Sequence, residues 1–134
     1  MVRVLNAFSL FVIGAAFGTL FTFGHQASLT IAGVPIPWGV ALAVLGVGAL
    51  LIGVRLMNRS RRPLVWVAVG VVSIVFVLSL PGPAGSVLVP NNVAGMVWSI
   101  APTFIAVLVG FWPAPRIGRT SHAARLEPVE RTAP

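Results

Sequence analysis

At 134 residues the chain has length for one domain; 8% of it is charged, against about 25% in an average soluble domain, and 57% is hydrophobic. It holds no Asp, no Lys, no Cys and two Glu, which excludes a soluble fold with a charged coat, disulfides, thiolate chemistry and cysteine-bound metals. The net charge of +7 comes from arginines at the edges of apolar segments or near the C-terminus, a distribution suited to anionic lipid headgroups rather than nucleic acid.

A helix needs about 20 mainly apolar residues to cross a hydrocarbon core of ~30 Å. Four windows answer that requirement: Val4 to Phe23, Trp38 to Leu56, Leu64 to Leu80 and Val93 to Trp112. The one charge within them is Arg55, at the end of the second, where its stem can snorkel to the interface. A charge at mid-span would cost at least ~2.5 kcal/mol. The clean segregation therefore predicts an all-α, four-helix transmembrane bundle over residues 1–112, followed by a disordered basic cytoplasmic tail at 113–134. The first window reads as a retained span rather than a signal peptide. Its apolar run is too long for an h-region, and His25 stands where a cut after Ala27 requires a small residue.

Orientation follows from the bases. Arg3 precedes the first span, Arg55, Arg59, Arg61 and Arg62 flank the second connection, and Arg116, Arg119, Arg125 and Arg131 follow the fourth span. The first and third connections hold none, so the positive-inside rule places both termini in the cytoplasm and the protein, as a multi-pass chain, in the cell membrane. Trp38 and Trp98 near the outer ends, with Trp66 and Trp112 near the inner ends, fit aromatic belts at the two interfaces. Arg59, Arg61 and Arg62 act as topology determinants and face anionic lipid.

In the first outer connection, Leu29, Thr30 and Ile31 before Ala32-Gly33 predict a short β-like turn, and Pro35 and Pro37 an extended lead into the second span. Both outer connections, 25–37 and 81–92, are apolar enough to fold back on the bundle or lie in the interface. The inner connection is a tight basic turn in which Pro63 opens the third span, where a missing N–H costs nothing.

Small residues give the clearest pattern. Gly14 and Gly18 in span one, Gly39, Gly46 and Gly53 in span two, and Gly95 with Ser99 in span four are the expected helix-packing positions, because close backbone approach is what holds helices together in lipid. Pro102 interrupts span four and frees the carbonyl of Trp98, with Ser99 placed to re-satisfy the backbone. His25, Gln26, Asn91 and Asn92 form a candidate outer polar cluster, suited to helix capping and loop hydrogen bonds or to a small external ligand. One imidazole among amides makes a poor metal site.

Enzymatic chemistry is not expected. The two carboxylates, Glu127 and Glu130, lie in the tail, no His pair has metal spacing, and no phosphate loop or nucleophile elbow occurs. Four-span multidrug transporters rely on a buried Glu that these spans lack.

The segments His25-Gln26-x-x-Leu29-Thr30, Gly33-Val34-Pro35-x-Pro37-Trp38-Gly39 and Gly85-Ser86-Val87-Leu88-Val89-Pro90-Asn91, with Gly95 and Trp98, resemble an uncharacterised family of short four-span membrane proteins of high-GC Gram-positive bacteria. The resemblance covers roughly residues 4 to 112 and implies fold and location, but no activity. The expected role is a non-catalytic scaffold or accessory subunit without cofactor or metal. It would bind the bilayer and, through Gly-rich faces with the Gly14–Gly18 seam foremost, copies of itself or another membrane protein. The alternative is a small oligomeric channel or transporter for an uncharged or small solute, with a path near Ser99, Pro102 and Thr103. A fluorescent protein fused to the C-terminus should fluoresce and alkaline phosphatase fused there should stay inactive; the opposite pattern would invert the assigned topology.

Overall fold

The computed structural model describes residues 2–81, 89 and 91–113. In chain order they form α1 (Val2–Gly24), β1 (Leu29–Ile31), β2 (Val34–Ile36), α2 (Trp38–Met57), α3 (Arg62–Ser79) and α4 (Val93–Phe111). All four helices are long and apolar enough to cross a membrane. Even the shortest, α3 with 18 residues, spans roughly 27 Å at ~1.5 Å per residue. The expected tail and most of the second outer connection lie outside the described residues.

Local chemistry explains the boundaries. α4 begins where Asn92, in an extended conformation, accepts the Gly95 N–H with its side chain at 2.8 Å, a side-chain N-cap. α3 carries a proline in its first turn. Both α3 and α4 stop at the residue before a proline, Leu80 before Pro81 and Trp112 before Pro113. Steric conflict with the proline ring drives each of those residues out of the helical region. α2 ends at extended Asn58, whose side chain donates back to the Val54 carbonyl at 3.0 Å.

The expected turn in the first connection is a two-stranded antiparallel hairpin pairing Leu29 with Ile36, Thr30 with Pro35 and Ile31 with Val34. Its two central residues, Ala32 (φ 51°) and Gly33 (φ 83°), both adopt positive φ, as the right-handed twist of a two-residue hairpin demands. Leu29, Ile31, Val34 and Ile36 are exposed. The second connection does fold back at one described point, where Val89 is buried in the core.

The core is built by α2, α3 and α4. Ala43, Val47 and Leu51 recur every fourth residue along α2 and meet Leu64, Val67, Val71 and Val75 of α3, with Trp98 and Val109 of α4. α1 buries only Gly14, Gly18 and Thr22, while Phe8, Val12, Phe17, Leu20 and Phe23 point outward. Such a helix would be untenable in water. In hydrocarbon those side chains are already solvated, and what remains to hold α1 is close packing of backbone.

That packing is supplied by α3, on which α1 lies far more extensively than on α2. The two helices run parallel with glycines facing across the seam. A methyl added at Gly14 would strike the Val67 carbonyl, one at Gly70 would strike the Phe11 carbonyl and stand 2.9 Å from the Ala15 nitrogen, and one at Gly18 would stand 2.5 Å from Ile74 Cγ2. The Gly14–Gly18 face is thus a packing seam within the bundle, covered by α3 rather than left for another chain.

Two other glycines of the expected seam work differently. Gly39 admits the carbonyls of Gly24 and Ala27, and Gly46 the ring of Phe21, so α1 and α2 meet at the hairpin end. Gly53 faces open space, because α1 follows α3 and nothing packs against that face of α2, while Leu51 and Arg55 on other faces are buried. Replacing Gly14 by Leu should therefore destabilise the fold by about 3 kcal/mol or prevent it, whereas the same change at Gly53 should be near neutral. Detergent or denaturant titration of both variants followed by circular dichroism checks the contrast.

Candidate functional site

Polar side chains are few in the described bundle, and those buried collect at its two ends. At the hairpin end, the last turn of α1 presents Thr22, whose hydroxyl donates to the Gly18 carbonyl at 2.7 Å and accepts the Trp98 indole N–H at 3.1 Å. His25, fully buried just beyond α1, stacks on Trp98 with ring centroids 5.7 Å apart and planes 18° from parallel. Its Nδ1 is 2.5 Å from the Thr22 carbonyl, which can only accept, so Nδ1 carries the proton. Nε2 is then the acceptor for the Gln26 amide nitrogen at 2.6 Å. Gln26 in turn takes the Asn92 amide through its oxygen, at 3.4 Å.

The chain from Asn92 through Gln26 and His25 to Thr22 and Trp98 ties the end of α1 to the start of α4. Three of the four expected cluster residues belong to it. Asn91 does not: it is exposed, and no hydrogen bond joins it to the network among the described residues. Asn92, one position nearer α4, both caps that helix and reaches Gln26. Both ring nitrogens of His25 are engaged inside the chain, so neither is presented to a metal or an external ligand.

Trp98 departs from its expected place in an interfacial belt. It is fully buried and its indole N–H reaches an acceptor in the core, while Trp38, Trp66 and Trp112 are exposed. The physical reason is Thr22, which gives a buried indole the partner it requires.

At the opposite end Arg55 also departs from expectation. Instead of snorkelling outward it is 4% exposed and turns inward. Nη1 donates to the Asn58 carbonyl at 3.3 Å and Nη2 to the Trp112 carbonyl at 3.1 Å, so one guanidinium closes the C-terminal ends of α2 and α4. Those ends carry the negative pole of each helix, where a cation is favoured. Its Nε has no partner among the described residues. The signal was present in the sequence, since Arg55 continues the fourfold spacing of Ala43, Val47 and Leu51.

Around Pro102, Ser99 does not serve the carbonyl freed near Trp98; its hydroxyl donates one turn earlier, to Gly95, at 2.9 Å. Ser99 is exposed rather than packed between helices, and Gly95 is buried. With Ser79, Pro102 and Thr103, Ser99 lines a cavity of about 170 Å³ between α3 and α4. Arg59, Arg61 and Arg62 are exposed at the turn between α2 and α3.

Compared with protein-family models, curated proteins and solved structures, the chain matches none. The buried indole bond gives a direct test. Trp98→Phe and Thr22→Val should each cost about 1 kcal/mol, and a double-mutant cycle should return a coupling of roughly 0.6 kcal/mol, the mean for interhelical bonds in a membrane protein. Zero coupling in unfolding titrations would remove this bond as a tie between α1 and α4.

Proposed function

We propose that the protein is a non-catalytic scaffold or accessory subunit of the cell membrane, its arginine-bearing end in the cytoplasm, that engages helices of a partner or of its own copies. The observation that carries this reading is the closed interior. Apolar side chains fill the bundle, and among the described residues Arg55 Nε is the one buried side-chain polar atom without a hydrogen bond. A conduit needs polar groups left over for its cargo; here the buried ones are spent on bonds within and between the helices. The resemblance to short four-span proteins of high-GC Gram-positive bacteria accords with this role and supplies no chemistry of its own.

The surface such a role would use differs from the seam that stands out in the sequence. Gly14 and Gly18 are covered by α3, whereas Gly53 and Gly110 face open space. They stand at one level of the bundle, two residues before Arg55 and Trp112, which are joined by a hydrogen bond. Gaps of this kind admit a foreign backbone closely.

One observation favours the alternative of a small-solute path, namely the cavity beside Ser79, Ser99, Pro102 and Thr103. Two of its hydroxyls, those of Ser79 and Ser99, are already bonded within their own helices to Val75 and Gly95. That leaves Thr103 as a poor basis for a polar route. Gly53→Leu with Gly110→Leu should leave the fold intact and reduce co-purification of the tagged protein with its membrane partners, or its energy transfer to a second labelled copy, at least fivefold. Unchanged association would sink this face as the docking surface.

A further inference from the structure

We infer that the cleft between the N-terminal ends of α1 and α3 is a binding site for one anionic phospholipid. The parallel packing of these helices sets their starts side by side. Between them lies a cleft of about 700 Å³, far larger than the cavity near Pro102. Arg3 from α1 and Arg62 from α3 stand in its lining with Asn6 and Ser60, and the remaining walls are largely apolar, Phe8 and Trp66 among them.

Charge selects the occupant. The described residues hold five arginines and no carboxylate, and neither α1 nor α3 has an acid in its first turn. Two positive helix poles and two guanidinium groups therefore converge on one opening with no counter-ion among the described residues. The N-cap residue of α3 makes no side-chain cap bond to its first N–H groups, and the Arg62 N–H is held only by Ser60 Oγ at 3.3 Å. A phosphodiester supplies acceptors for such donors, and arginine binds it in a forked geometry.

The walls decide between a soluble phosphate and a lipid. A free anion has no use for Phe8 and Trp66, both exposed to the surroundings of the bundle. A phospholipid sets its phosphate at the arginine rim and its acyl chain along these side chains, where the first turns of α1 and α3 pass from interface to hydrocarbon. Tryptophan favours that depth. The site is thus distinct from a general attraction of basic loops for an anionic surface, since Arg59 and Arg61 lie outside the cleft.

The test uses the full-length, delipidated protein in neutral detergent, offered equal amounts of phosphatidylglycerol and phosphatidylcholine with identical chains and examined by native mass spectrometry. The wild type should retain phosphatidylglycerol preferentially as a single bound molecule. Arg3→Gln with Arg62→Gln should lower that preference about thirtyfold, given ~1 kcal/mol for each arginine near an anionic surface. Arg59→Gln with Arg61→Gln, which removes equal charge from the same end, should change it less than twofold. Equal retention of both lipids by the wild type, or equal loss in the two variants, would overturn the site. Displacement of the lipid by millimolar inorganic phosphate would overturn the lipid as its occupant. All four substituted arginines are at the surface, and near-ultraviolet circular dichroism verifies that both variants are folded.

Discussion

The contact between α1 and α3 is the constraint on which the rest of the bundle depends. In lipid, large apolar side chains gain little from meeting one another, so helices are held by dispersion between closely approaching backbones. α1 illustrates the limit of this rule, because it buries no large apolar side chain fully, with only Leu10 and Phe21 half-buried against the core, and is seated through Gly14, Gly18 and Thr22. Gly70 answers from α3, giving the seam small residues on both sides. Once α1 follows α3, it can touch α2 only at the hairpin end, and the shape of the remaining molecule follows. Gly46 accommodates Phe21 there, Gly53 is left uncovered further along, and the starts of α1 and α3 frame a cleft.

Polar groups reinforce this arrangement at the two ends. At the hairpin end, the indole of Trp98 and the His25–Gln26–Asn92 relay join α1 to α4. At the arginine end, the Arg55 guanidinium joins α2 to α4. The indole uses the Thr22 hydroxyl, while the relay and the guanidinium each end on a backbone carbonyl at a helix terminus, Thr22 and Trp112, where acceptors are left over by the helical pattern. The middle of the bundle is consequently free to be apolar, and the two helix pairs are locked where the chain meets water.

The four spans were legible because arginines and prolines bracket apolar windows, and Ala32-Gly33 made the hairpin legible through the φ > 0 its turn needs. The small residues of α1 were also legible, but their partner was not. Nearly every position of every helix is apolar, so periodicity scarcely distinguishes a face turned to lipid from one turned to protein. That is why Gly14–Gly18 read as a packing seam open either to the bundle's own helices or to another chain, and why Trp98 read as an interfacial residue rather than a buried donor. Arg55 was misplaced for a related reason: a charge at the end of a span normally finds water, unless helix-terminal carbonyls lie nearer. One of those carbonyls, that of Asn58, is three positions away, but the other, Trp112 at the end of α4, is 57 positions away, and local sequence does not reveal such proximity.

The parallel seating of α1 on α3 also bears on how the protein is made. A chain inserted from its N-terminus delivers α1 to the bilayer first, then α2, which meets it only near the hairpin. The partner that covers Gly14 arrives with Val67, after a complete hairpin and a reversal of direction. During that interval the first span is a lone, lipid-solvated helix with its glycines bare, retained by its own hydrophobicity. Its release into the membrane precedes its assembly, so the maturation of this small bundle waits on synthesis of its third crossing.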